Sequence, residues 1–197
     1  KSTHLPRINL YAAEHGLSEI NLHLGCGGFH LDGWINIDNY DFDPRDSSRH
    51  GAAYDIKMDI RNLEVQSSSV SKILLVHVLE HFVRWEAIEL LQQFYRILKP
   101  GGSLIMEHPD FDECIYFYQN CKEITRTPIG ELNIGFTQFY GNQWDKIDYE
   151  THRYVWTKNE MNNILLHIGF GPIDISNQAK FHVQGRDMFV IATKSKL

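Results

Sequence analysis

The chain has 197 residues, 43% of them hydrophobic, and a formal net charge of -6. That size and apolar share suit one globular domain with a sizeable core, and the acidic balance argues against a nucleic acid backbone as the main partner. Three cysteines, Cys26, Cys114 and Cys121, an odd number with no close pairing, argue against the disulfide framework of a small secreted domain.

The compartment expected from this is reducing and cytoplasmic. No signal peptide is evident, and no apolar run approaches the roughly 18 residues that a membrane helix needs. Residues 1 to 18 read as a leader with a short helix over Leu10 to His15, ended by Gly16. Ile20 to Leu24 reads as a buried strand, Trp34 to Asp38 as a second, and Tyr54 to Met58 as a short third ending at Asp59. Ile73 to Val76 is apolar on both faces and makes a fourth strand. From Glu86 to Leu98, Ile88, Leu91, Phe94, Tyr95 and Leu98 recur at helical spacing. That helix should stop at Lys99-Pro100-Gly101-Gly102 and lead into a fifth strand, Ser103 to Met106.

Residues 110 to 153 break the alternation. They are rich in aromatics, among them Phe111, Tyr116, Phe136, Tyr140 and Trp144. Ligands of open α/β sheets bind beyond the carboxyl ends of the strands, so this insertion within a single domain of 1 to 197 is expected to cap an acceptor pocket. Lys158 to Ile168 reads as a helix capped by Thr157, with Glu160 three residues on and Gly169 at its end. Ile173 to Asn177 and Met188 to Thr193 read as a closing pair of strands. Strands alternating with helices imply an α/β fold with a mostly parallel sheet in three layers.

The most informative stretch is Leu22-His23-Leu24-Gly25-Cys26-Gly27-Gly28, followed by Trp34-Ile35-Asn36-Ile37-Asp38. Glycines without Cβ atoms let backbone N–H groups approach a ligand. A carboxylate at the end of the next strand can accept both hydroxyls of a ribose. A dinucleotide fingerprint needs Gly-x-Gly-x-x-Gly, but the third position here is His30, and Asp38 follows Gly27 too soon for a crossover helix. No Gly-Lys-Ser or Gly-Lys-Thr occurs, which excludes a Walker-type phosphate loop.

Leu22-His23-Leu24-Gly25-Cys26-Gly27 resembles motif I of class I S-adenosylmethionine-dependent methyltransferases. Val78-Leu79-Glu80-His81-Phe82, Leu98-Lys99-Pro100-Gly101-Gly102 and His167-Ile168-Gly169-Phe170 resemble three further segments of the type 11 branch. Gly33 to Asp38 and Pro109-Asp110 look like a subgroup of predicted methyltransferases associated with surface polysaccharide genes. The resemblance spans roughly residues 20 to 193. It implies a Rossmann-like fold with a seven-stranded sheet of order 3-2-1-4-5-7-6, and S-adenosylmethionine as cofactor.

Under that resemblance Leu24, Gly25, Cys26 and Gly27 take the methionine portion, and Asp38 with Asn39 takes the ribose. Asp59 and Ile60 take the adenine, and Val76 and His77 line the far side. Asp59 also fits a plain helix cap before Arg61-Asn62. Where the family usually has an acid two positions before the first motif glycine, this chain has His23, which also fits a strand histidine with a hydrogen-bond partner. His108, His152 and Asp110 are the candidates for proton removal from an acceptor, and Tyr140 is a candidate donor to it.

His77, His81, His108 and His152 match no compact zinc spacing, and no Cys-x-x-Cys occurs, so no metal is expected. The acceptor implied is a small molecule or a sugar-like hydroxyl. The rival readings are a non-catalytic nucleoside-binding module and a nucleic acid methyltransferase. The latter is disfavoured because Arg45, Arg49, Arg61 and Arg84 are scattered, and Glu107-His108-Pro109-Asp110 stands where an amine-methylating Asn/Asp-Pro-Pro-aromatic tetrad would be. The sequence leaves the oligomeric state open.

Overall fold

The first apolar run, Ile20–Leu24, forms β1 at the centre of a sheet, with Leu22 and Leu24 fully buried. In the computed structural model, residues 5–39, 53–127, 130–143 and 146–196 are described. Arg45, Arg49 and Trp144 lie outside the described residues.

A helix, α1 (Arg7–Glu14), precedes β1 and begins three residues earlier than its expected start at Leu10. β2 (Ile35–Asp38) and β3 (Ile56–Lys57) follow on one side of β1, and β4 (Val70–Val76) lies on the other. The third strand is two residues long, not the five expected from Tyr54 to Met58. Asp55 turns its carboxylate onto Asn36 N–H (2.7 Å), and Met58 N–H bonds Asp38 O (2.9 Å), so the segment is tied to β2 around a short ladder.

After β4 come α2 (Arg84–Ile97) and β5 (Leu98–Pro109). The breakers Lys99 to Gly102, expected as a turn, fall inside β5. Leu98 already pairs with Val70, the register shifts across the glycines, and regular pairing resumes at Ser103 opposite Lys72. Gly101 sits at φ +80°, a left-handed conformation that suits an irregular stretch.

The segment beyond β5 holds α3 (Phe111–Asn120), the hairpin β6 (Ile124–Thr127) and β7 (Gly130–Asn133), and α4 (Thr137–Tyr140). The chain then forms α5 (Lys158–Ile168), with the bounds expected. Thr157 accepts Glu160 N–H at 3.1 Å, and Gly169 ends the helix at φ +114°. β8 (Phe170–Ser176) and β9 (Asp187–Lys194) close the sheet, both antiparallel to their neighbours.

The seven strands run in the order β3-β2-β1-β4-β5-β9-β8. Numbered within the sheet alone this is 3-2-1-4-5-7-6, the order that the resemblance implies. Two flanking helices, α2 and α5, bury Leu91, Phe94, Met161 and Leu165 against the sheet. β1, β2, β4 and β5 are parallel, so their carboxyl ends open at one edge, where the candidate residues gather.

Candidate active site

At the end of β1 the chain turns sharply. Gly25 and Gly27 adopt φ +68° and +54°, a region that side-chain-bearing residues rarely enter. Gly25 N–H and Cys26 N–H both donate to Ile37 O, at 2.9 and 3.3 Å. Gly27 N–H donates to Asp38 Oδ2 at 2.7 Å. The acid eleven residues on thus holds the turn itself. Asn39 follows at the exposed edge, and the Cys26 thiol is buried.

Beneath the turn lies a polar residue that the sequence reading passed over. Asn36 is fully buried in β2. Its side chain binds Leu31 N–H (3.0 Å), the carbonyls of Leu31 and Trp34 (3.2 Å each), His23 Nδ1 (2.9 Å) and Asp55 (2.9 Å). A buried amide in an apolar strand needs such partners, and that polarity was the available signal. His23 is accordingly a partnered strand histidine whose pKa is pushed down by burial.

Asp59 caps the 3-10 helix Ile60–Asn62 and accepts Arg61 N–H at 2.9 Å. Arg61 also forks onto both of its oxygens, and that bonding lowers the Asp59 pKa. The carboxylate is therefore engaged as the cap reading expects, while Ile60 beside it is 7% exposed.

The end of β4 carries a different set of groups. His77 is held at φ +51°, an uncommon conformation for a residue with a side chain. Its Nδ1 lies 3.0 Å from Glu80 Oε1 and its Nε2 lies 3.1 Å from Asp187 Oδ2. Burial opposes its charge, but Glu80 and Asp187 together push its pKa up to about 9. The ring is an imidazolium between two carboxylates. Glu80 is fully buried, and against that burial the charge of His77 holds its carboxyl well below the usual range. Asp187 is also forked by Arg186 at 2.6 Å, and despite burial these bonds hold its pKa at about 2. The His182 ring lies against His77, with centroids 4.1 Å apart and planes tilted by 35°.

The three proton-removal candidates occupy unlike places. His108 is 1% exposed in β5, with Nδ1 3.2 Å from Pro109 O, and burial pushes its pKa down. Asp110 is fully buried, caps α3 and pairs with Lys158 at 2.7 Å. His152 is half-buried, with Nδ1 2.8 Å from Gln138 O and its ring edge-on to His81 at 5.0 Å. His152 reaches β4 because Arg153 and Tyr154 N–H both donate to Glu80 O, at 2.7 and 3.2 Å.

Two groups of possible metal ligands result. His77, His182 and Asp187 form one, and Glu80, His81 and His152 the other; within each, one ligand atom per residue lies within 4.8 Å of the rest. Linear spacing could not reveal either, since His152 and Asp187 lie far along the chain from their partners. Glu107 was missed for the same reason. It is 1% exposed and accepts the N–H groups of Lys180, Phe181 and His182 at 2.6 to 3.2 Å, fastening the loop between β8 and β9.

A mostly parallel sheet with this strand order, a left-handed glycine turn after β1 and an acid ending β2 are those of a class I S-adenosylmethionine-dependent methyltransferase. A Cβ on Gly25 would stand 2.5 Å from Val78 Cγ2, so the turn packs against the segment after β4 only as bare backbone. The chain matches the family described as "Methyltransferase domain" over residues 20–174, and it belongs to that family.

Among solved structures it is similar to a SAM-dependent methyltransferase of Methanosarcina mazei (15% identity, TM-score 0.54, covering 94% of this chain and 98% of that one). Another from Thermotoga maritima is 17% identical, with TM-score 0.55 and coverage of 95% and 88%. A third, from Archaeoglobus fulgidus, is 16% identical, with TM-score 0.52 and coverage of 95% and 91%. No curated protein matches the chain. Among the described residues no helix is long and apolar enough to cross a membrane.

Proposed function

We propose that this methyltransferase acts on a hydroxyl of a small molecule or a saccharide. The observation that carries the reading is the carboxylate and imidazole cluster beside the glycine turn. Val78 packs against Gly25, so the segment from His77 to His81 borders the cofactor turn directly. A neutral amine or a thiolate needs no help to act as nucleophile. A hydroxyl does, because its proton must be lost or its developing charge held. Glu80, His81 and His152 are the groups placed to do this at the edge of the site.

The bound cofactor supplies a methyl group already activated on a sulfonium. The chain's part is then alignment. Leu24 and the Gly25–Gly27 turn, Cys26 included, offer backbone to the methionine portion, and Asp38 with Asn39 meets the ribose. Ile60 gives an apolar surface to the adenine, with the backbone at Asp59 beside it. Val76 and the fixed imidazolium of His77 form the opposite wall. The segment from 110 to 153 covers the acceptor side, and Tyr140, half exposed, lies on it.

Calorimetry with S-adenosylhomocysteine tests the cofactor pocket. Incubation with methyl-labelled S-adenosylmethionine and matched panels of hydroxyl, amine and RNA acceptors tests the substrate class. Label in hydroxyl compounds is expected. Label confined to amines or RNA, or no binding of S-adenosylhomocysteine, would overturn the proposal.

A further inference from the structure

We infer that Glu80, His81 and His152 bind a divalent transition-metal cation, with an open coordination position that takes the acceptor hydroxyl. The substrate half of this inference rests on the hydroxyl reading above; the metal half does not.

The two histidines are oriented as ligands are. His81 Nδ1 faces Thr151 O at 3.2 Å, and His152 Nδ1 faces Gln138 O at 2.8 Å. A ring that donates its Nδ1–H to a backbone carbonyl has its tautomer fixed, with the lone pair on Nε2. One ligand atom of each ring lies within 4.8 Å of the other and of a Glu80 oxygen, close enough for one ion to bridge all three. The rings stand edge to face at 80°, as two ligands on adjacent corners of a coordination sphere can.

Glu80 supplies the independent observation. Its side chain is buried, and its Oε2 has no hydrogen-bond partner. Oε1 has a charge partner in His77, 3.0 Å away. A buried carboxylate normally gathers several donors, as Glu107 does from three backbone N–H groups. A cation among Glu80, His81 and His152 would complete that coordination, with His77 steadying the carboxylate from behind.

The neighbouring group of His77, His182 and Asp187 does not qualify. Both ring nitrogens of His77 point at carboxylates, so both carry protons and neither has a lone pair to offer. Asp187 already takes two bonds from Arg186 and one from Val183 N–H.

Two imidazoles and one carboxylate suit a first-row divalent ion such as Zn²⁺, Mn²⁺ or Co²⁺. Three protein ligands leave positions for an exogenous oxygen, whose proton affinity the metal lowers. This role for His152 differs from that of a general base, since a ligand nitrogen cannot also accept a proton.

The test is titration of the chelator-stripped chain with Zn²⁺ and Mn²⁺ by calorimetry, and with Co²⁺ by visible absorption. We expect one tight site, weakened about tenfold or more in His81→Ala and in His152→Ala. His182→Ala, in the rejected group, should keep wild-type affinity. Retained melting temperature and S-adenosylhomocysteine binding show that each variant is folded. No binding of these cations tighter than about 100 µM would overturn the site. So would loss in His182→Ala with retention in His152→Ala. Intact S-adenosylhomocysteine binding without metal binding sinks this inference and spares the methyltransferase reading; the reverse pattern sinks that reading and spares the metal.

Discussion

Gly25→Ala probes the cofactor turn through two separable effects. The backbone at φ +68° disfavours any L side chain, at about 1 to 2 kcal/mol. The added Cβ would also stand 2.5 Å from Val78 Cγ2 and 3.1 Å from Cγ1. Valine is stiff about χ1, so it cannot swing aside cheaply, and such overpacking costs about 1 to 3 kcal/mol. The sum of about 3 kcal/mol corresponds to a fall in melting temperature of roughly 6 to 12 °C for a chain of this size. S-adenosylhomocysteine affinity should drop at least about tenfold, because the shifted turn misplaces its N–H groups.

Val78→Ala removes both Cγ atoms and leaves Cβ at 3.4 Å, an ordinary contact. The double variant should therefore recover the steric part, about 1 to 3 kcal/mol relative to additivity, but not the backbone part. Differential scanning calorimetry of the four proteins in this cycle, with S-adenosylhomocysteine titrations of each, gives both numbers. A Gly25→Ala protein that melts with wild type and binds as tightly would refute the argument. A cycle with no coupling would refute its steric half.

Asp187 should contribute to acid stability. Its pKa of about 2 lies below the ordinary 3.8, so its contribution of about 2 kcal/mol is present above pH 4 and is lost as pH falls toward 2. Urea midpoints from pH 5 to pH 2.5 should fall less steeply in Asp187→Asn than in wild type, and parallel curves would contradict the assignment. Glu107→Gln should destabilise by about 2 to 4 kcal/mol, because the amide turns a donor toward backbone donors. Hydrogen exchange at Lys180, Phe181 and His182 should accelerate with it; unchanged exchange would show that Glu107 does not hold that loop. Native-state alkylation at pH 8 should label Cys121, which is half-buried, and spare Cys114, whose thiol burial pushes up to about 12. Mass spectrometry of tryptic peptides reads this directly, and early labelling at Cys114 would count against its burial.

The elements that could be read from sequence are those fixed locally. β1 needed only a run of apolar residues ended by a glycine, and α5 only helical spacing with Thr157 and Gly169 at its ends. The strand order was implied only by the family resemblance that four motifs carry, not by any local pattern. The errors fall where a partner distant in sequence decides. The ladder at β3 is shortened where Asp55 is drawn onto Asn36, nineteen residues away. β5 begins early because Leu98 finds Val70 before the glycines intervene. For Asp110, a candidate for proton removal, the sequence also held no sign of its partners: it caps α3 and pairs with Lys158, forty-eight residues on.

The same logic separates the four carboxylates buried around the sheet edge. Glu107 is met by backbone N–H groups of the loop between β8 and β9. Asp187 is met by Arg186 and His77, and Asp110 by Lys158 and the start of α3. In each of these three, donors from the protein fill the oxygens, and the group serves to hold segments together. Glu80 is unlike them: its Oε1 meets the His77 ring at 3.0 Å, and its Oε2 has no hydrogen-bond partner among the described residues. A fold that satisfies three such groups completely has the means to satisfy a fourth. Leaving a carboxylate in that state is costly unless something else arrives to meet it. Its place next to two imidazoles and the glycine turn is the geometry on which the proposed cation site stands.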